Sequence, residues 1–180
     1  VARGRWVHTM AVKHPDINYL GLEIRTGLVA GANAVRDRDQ LRNLHYLYAN
    51  ANVSFANIVR GVPDGSVHLV CFQFSDPWFK TRHAKRRMVQ EPLVRQVADA
   101  LHAGRGRCYM ATDVGTLAVE MRDLFDQCQD FERDEGLAWT SDGWLRDNPF
   151  GVPTEREIAV TSDPHSKVYR AMFRVRAREA

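Results

Sequence analysis

Five apolar runs of strand length, Asn18–Ile24, Leu44–Ala49, Val67–Phe74, Arg107–Ala111 and Val168–Arg178, alternate with stretches of helical periodicity along this chain. That alternation predicts crossover units, a mostly parallel sheet and helices on both of its faces. Ligands of such sheets bind beyond the carboxyl ends of the strands. Glu23, Asn50, Asp76 and Asp113 stand at or just after the carboxyl ends of the first four runs. They are expected to converge on one rim.

The helical patterns between the runs are amphipathic. Trp6, Val7, Met10 and Ala11 share a face of a helix that Pro15 ends, and Leu28, Val29 and Ala32 share a face within Thr26–Asp39. Glu91-Pro92 opens a third helix, with proline near its first turn and a stripe of Leu93, Val94, Val97, Ala98 and Leu101. Val114, Leu117, Ala118, Met121, Leu124 and Phe125 fall on one face of a fourth, which reads as core. Gly61–Ser66 is a turn cluster, and Trp139–Pro153 reads as a substantial loop. In the last run Tyr169, Ala171, Phe173 and Val175 are expected inward, with Arg170, Arg174 and Arg176 outward.

Composition narrows the partners. A chain of 180 residues that is 44% hydrophobic and 26% charged suits one soluble domain, residues 1–180, with a sizeable core. No apolar run approaches the roughly 18 residues of a membrane span, so no membrane partner is expected. Cys71, Cys108 and Cys128 lack paired spacing, and the seven histidines form no ligand-spaced pairs with them, so no metal is expected. A net charge of +3 is too small to make the whole surface cationic. Affinity for nucleic acid would have to come from local clustering.

Such a cluster follows the third run. Phe74-Ser75-Asp76-Pro77-Trp78-Phe79-Lys80-Thr81-Arg82-His83-Ala84-Lys85-Arg86-Arg87 carries a carboxylate, a rigid proline, aromatics, and five Lys or Arg within eight residues. An acid delivered at a strand end and followed by a cationic loop suits an anionic substrate held against a reacting centre. A solvated basic loop after a core strand is the plainer alternative. Gly4 and Glu23 stand nineteen positions apart. That spacing matches a glycine turn close to a nucleotide-type cofactor and an acid on its ribose, although one glycine and one acid often match by accident.

The string FSDPWFKTRHAKRR closely resembles the (F)PDPW-x-K-x-x-H-x-KRR signature of the tRNA (guanine-N(7))-methyltransferases, with Ser75 where that family usually has proline. Thr154-Glu155-Arg156-Glu157-Ile158 resembles the family's T-x-x-E substrate motif, although a helix capping box would explain Thr154 and Glu157 equally. The resemblance extends over nearly all of the chain. It implies the class I S-adenosylmethionine-dependent methyltransferase fold, an α/β Rossmann-like, seven-stranded and mostly parallel sheet. Gly4 would close the family's D/E-x-G-x-G-x-G loop, with Ala2 on its middle glycine. The first glycine and the first strand would then lie upstream of Val1, so the chain reads as N-terminally truncated. Residues 1–180 alone are accordingly expected to fold poorly and to bind the cofactor negligibly.

The resemblance also implies roles. Gly4, Glu23, Ile24, Asn50, Ala51 and Asp76 would line S-adenosylmethionine, and Asp76 would be the catalytic residue. Lys80, Arg82, His83, Lys85, Arg86, Arg87, Asp113, Thr154 and Glu157 would bind tRNA at its variable-loop guanine. Trp78 is either a stacking platform or a packed anchor of its loop. The stretch DGWLRDNPFGVPTERE looks most like plant and algal plastid members, which implies a plastid setting, with the cytoplasm as the alternative. A monomer or weak homodimer is expected, and a non-catalytic partner subunit is not excluded. The rival readings are an RNA-binding module that has lost catalysis and a small-molecule methyltransferase, the latter disfavoured by the basic motif.

Overall fold

A computed structural model describes residues 2–177, so Val1 and Arg178, each at the end of an expected segment, lie outside the described residues. The elements run α1 (Arg5–Lys13), β1 (Tyr19–Glu23), α2 (Thr26–Arg38), β2 (Leu44–Tyr48), α3 (Ala51–Val59) and β3 (Leu69–Gln73). A short 3-10 helix (Thr81–Arg86) follows, then α4 (Glu91–Ala100), β4 (Arg107–Thr112), α5 (Gly115–Asp126), β5 (Phe131–Arg133), α6 (Glu155–Thr161) and β6 (Tyr169–Val175). All five expected strands and all four expected helices are present.

Three elements were not anticipated. Ala51, Phe55 and Val59 repeat at helical spacing through α3, and Asn50 caps it by accepting from the Asn52 N–H at 3.1 Å. The strand β5 has only three residues and exists through its antiparallel pairing with β6. The 3-10 helix lies inside the basic motif, where no apolar period could announce it.

The strands form two sheets, β1-β2 and β3-β4-β6-β5, rather than a single seven-stranded one. β1 pairs with β2 and β3 with β4 in parallel, while β6 runs antiparallel between β4 and β5. Among the described residues no strand joins β1 to β3, and for that reason the sheet is interrupted there. Leu22 of β1 nonetheless packs against the large core that contains Phe72 of β3.

Helices cover both faces, as the alternation predicts. Val7 and Ala11 of α1 meet Val29 and Ala32 of α2 over Leu44 and Tyr46. On the larger sheet, the stripes of α4 and α5 pack on Phe72, Cys108, Met110, Ala171 and Phe173. The opposite face buries Tyr109, Ala111 and Met172 beneath Leu145, Val160 and Val168. Because both faces of β6 are covered, the expected outward position of Arg170 needs correction: its side chain is only 12% exposed. An arginine is tolerated there because a carboxylate meets it, as described next.

Candidate functional site

The first half of the site is built around a glycine that nothing else could replace. Gly4 adopts φ 72°, and a Cβ there would lie 2.5 Å from the Tyr46 ring. The Tyr46 hydroxyl donates to the Gly4 carbonyl at 2.7 Å, which fixes the turn at the start of α1 against β2. Burial pushes the Tyr46 phenol up to about 12, so it stays a donor.

Glu23 ends β1 in a buried position. Its Oε1 accepts from the N–H groups of Ile24 and Arg25 and from Arg25 Nε, and its Oε2 accepts from the Ala2 N–H at 2.8 Å. Burial alone would raise its pKa, but the Arg25 hydrogen bond, nearby positive charge and the Ala2 N–H together prevail and hold it at about 2. The next side chain, Ile24, is 58% exposed. Asn50, after β2, is exposed, and its Oδ1 is occupied by the α3 cap, which leaves the amide N–H2 facing outward. Ala51 buries its methyl in the core and can offer a ligand only backbone. A carboxylate, an exposed apolar side chain and an exposed amide after neighbouring strands suit a ribose diol with an attached base. These residues fit S-adenosylmethionine, provided the Ala2 N–H yields its oxygen on Glu23.

The second half follows β3. The Phe74 N–H still reaches the Ala111 carbonyl at 2.7 Å, extending the β3–β4 ladder by one bond. Phe74 and Trp78 then adopt φ 49° and 45°, a region that bulky side chains rarely enter. Between these two bends Asp76 projects into solvent. Its Oδ1 accepts from the Trp78 N–H at 3.2 Å, and Oδ2 has no partner among the described residues. Trp78 settles the choice between anchor and platform in favour of the anchor. Its ring sits edge-on to His83 at 5.6 Å and beneath the Arg86 guanidinium at 5.2 Å. His83 is thereby half-buried in the loop.

The five cations divide unequally. Arg87 turns inward, donating from Nε to the Pro77 carbonyl at 2.9 Å and from Nη1 to Glu120 on α5. Lys80, Arg82, Lys85 and Arg86 are exposed, and none has an ion-pair partner among the described residues. Four charges are thus presented to solvent while the fifth fastens the loop.

A further segment joins β4 to α6. Asp113 follows β4 and accepts from Arg156 Nη2 at 2.5 Å. Thr154 and Glu157 form the reciprocal capping box of α6, at 3.0 Å and 3.3 Å. Glu157 is buried, with Oε1 held by both Nε and Nη2 of Arg170 and Oε2 also held by Asn148 Nδ2. Its oxygens therefore face the protein rather than a ligand. The segment also reaches back to α1: Trp6 Nε1 donates to the Val152 carbonyl at 2.8 Å, and Arg5 pairs with Glu155 at 2.6 Å.

Sequence reasoning did not single out Asn148, Arg156 or Arg170. Arg156 sits inside the TERE string, so its pairing to Asp113 had a signal. For Asn148 and Arg170 the partner is far along the chain or hidden in a loop, and no local pattern marks them. No group of three or more His, Cys, Asp or Glu suited to a metal ion occurs among the described residues. No helix among them is long and apolar enough to cross a membrane.

The fold is that of an S-adenosylmethionine-dependent methyltransferase. Residues 1–171 match the family model described as "Putative methyltransferase". An rRNA methylase from Streptococcus thermophilus superposes with a TM-score of 0.51 over 88% of this chain and 74% of its own, at 9% identity, which speaks for the fold alone. A tRNA (guanine-N(7)-)-methyltransferase of Synechococcus elongatus is 45% identical over 96% of this chain and 77% of its own. One of a Nostoc species is 46% identical over 96% and 75%. The chain belongs to the tRNA (guanine-N(7))-methyltransferase family.

Proposed function

We propose that this chain transfers a methyl group from S-adenosylmethionine to N(7) of the variable-loop guanine of tRNA, at tRNA position 46. The observation that carries the reading is the loop after β3, where one exposed carboxylate stands beside four exposed cations that have no ion-pair partner among the described residues. S-adenosylmethionine supplies the methyl group as an electrophilic carbon on a positively charged sulfur.

N(7) of neutral guanine already has a free lone pair, so no side chain has to remove a proton before attack. The protein's work is positioning and electrostatics. Asp76 Oδ2 accepts from the N–H groups of the guanine edge and sets the ring's orientation. The Trp78 N–H on Oδ1 holds that carboxylate in place. Lys80, Arg82, Lys85 and Arg86 take phosphates, and a negative carboxylate nearby favours the cationic product ring. Glu23, Ile24 and Asn50 hold the donor's ribose and adenine. Asp113, Thr154 and Glu157 act on the base through the wall they build: Arg156 is fixed by Asp113, and α6 is fixed by its capping box and Arg170. The target base has to leave the folded tRNA to reach this rim. The likeness of DGWLRDNPFGVPTERE to plant and algal plastid members supports a plastid setting.

The test is incubation with labelled S-adenosylmethionine and an unmodified tRNA transcript, followed by chain cleavage specific for N(7)-methylguanine. Cleavage at the variable-loop guanine is expected. Methyl incorporation confined to another nucleotide, or to small molecules, would remove the proposal.

A further inference from the structure

Two aromatic residues stand side by side in the basic loop, and the structure treats them oppositely. Trp78 is packed against His83 and Arg86. Phe79 is 75% exposed and has no ring partner among the described residues. Its exposure is not that of a frayed end. It lies between a Trp78 held at φ 45° and a 3-10 helix that begins at Thr81, inside a loop that Arg87 closes onto Pro77. The left-handed bend at Trp78 turns one ring inward and leaves its neighbour in water, against the preference of a phenyl group for burial.

We propose that Phe79 is a nucleobase-stacking residue: its ring packs against a base of the tRNA beside the target guanine, while Lys80, Arg82, Lys85 and Arg86 hold the flanking phosphates. The inference rests on the tRNA reading above and adds a positioning contact to it. The surroundings choose the occupant. An apolar protein surface laid on Phe79 would also cover unpaired cations and strip them of water without compensation. Single-stranded nucleic acid offers both things the patch asks for, a π face for the ring and phosphates for the cations. Stacking there also helps keep the displaced guanine out of its own stack, because the neighbouring base gains a replacement surface.

The experiment measures tRNA affinity of the full chain across a salt series for Phe79→Ala, Phe79→Leu and Phe79→Tyr, with melting temperatures alongside. Phe79→Ala is expected to weaken binding by about 5- to 160-fold, the range of one lost base stack. The log–log salt line should shift in parallel, because no phosphate contact is lost. Phe79→Tyr should restore affinity, Phe79→Leu should not, and no variant should melt earlier. Affinity within about twofold of wild type for Phe79→Ala overturns the inference. So does a changed salt slope, or full rescue by leucine, which would mean simple apolar packing. Wild-type methylation of tRNA with unaltered binding by Phe79→Ala removes the inference alone. A wild-type chain that binds no tRNA removes both it and the reading beneath it.

Discussion

Arg87 Nε donates to the carbonyl of Pro77 at 2.9 Å, so the last cation of the basic motif closes onto the residue that follows Asp76. The bond makes one ring of the loop, and Glu120 ties that ring to α5. Arg87→Ala is expected to loosen residues 75–87 while leaving the global core intact. Amide exchange in that segment should rise well above the rest of the chain, and Arg87→Lys should rescue it poorly because lysine lacks the forked donors. Unchanged exchange would return Arg87 to the phosphate-binding set.

The four outward cations should act through salt. Replacing Arg82, Lys85 and Arg86 together by alanine removes up to three phosphate contacts. The log–log salt slope of tRNA binding should then shallow by roughly 2 units, at 0.7–0.9 per contact. An unaltered slope would mean a merely solvated loop.

Asp76→Asn keeps the shape and one carbonyl acceptor but loses the charge proposed above to orient guanine. Turnover should fall by more than about tenfold, or 1.4 kcal/mol, with tRNA affinity nearly kept. Turnover within about threefold of wild type would take the catalytic role from Asp76.

Glu157→Gln leaves Arg170 buried with half of its partner gone. Breaking a buried pair from one side costs on the order of 3–5 kcal/mol, so a large fall in melting temperature is expected. Full stability together with weakened tRNA binding would instead make Glu157 a substrate contact.

Glu23 links stability to acid. Its folded pKa of about 2 lies below the ordinary 4.5, so its contribution is complete above the ordinary value and fades as pH falls toward 2. Wild type should exceed Glu23→Gln in urea midpoint at pH 6, and the gap should close between pH 4.5 and 2. A gap that widens on acidification contradicts the hydrogen bonds seen here.

How far this could be read from the residues varies with the range of the interaction. The capping box at Thr154 and Glu157 is local, and it was legible because i to i+3 contacts leave a string. Strand ends were legible because apolar runs stop at Glu23, Asn50 and Asp113. The division of the cations was not. Arg86 and Arg87 are adjacent and chemically identical, and only the bend at Trp78 and the reach to Glu120 send one outward and one inward. Phe79 and Trp78 are likewise indistinguishable in the sequence, since exposure is decided by backbone angles that no composition displays. α3 is hard to see in the sequence because an Asn after a strand suits a turn, a ligand contact or a helix cap alike, and only the fold shows Asn50 capping α3.

The bond from Trp6 to Val152 has a consequence for how the two substrates meet. The helix that begins at the cofactor's glycine turn also carries, through Trp6 and Arg5, the strap that leads into α6. On the proposed function, a ligand that draws Gly4 and Ala2 toward itself would shift the footing of that strap, and RNA pressing on the strap would shift the glycine turn. By thermodynamic reciprocity each substrate must then change the other's dissociation constant by one common factor. Binding of the two substrates is then expected to be a coupled equilibrium, and severing both the Trp6 and the Arg5 contacts should bring the two affinities closer to independence.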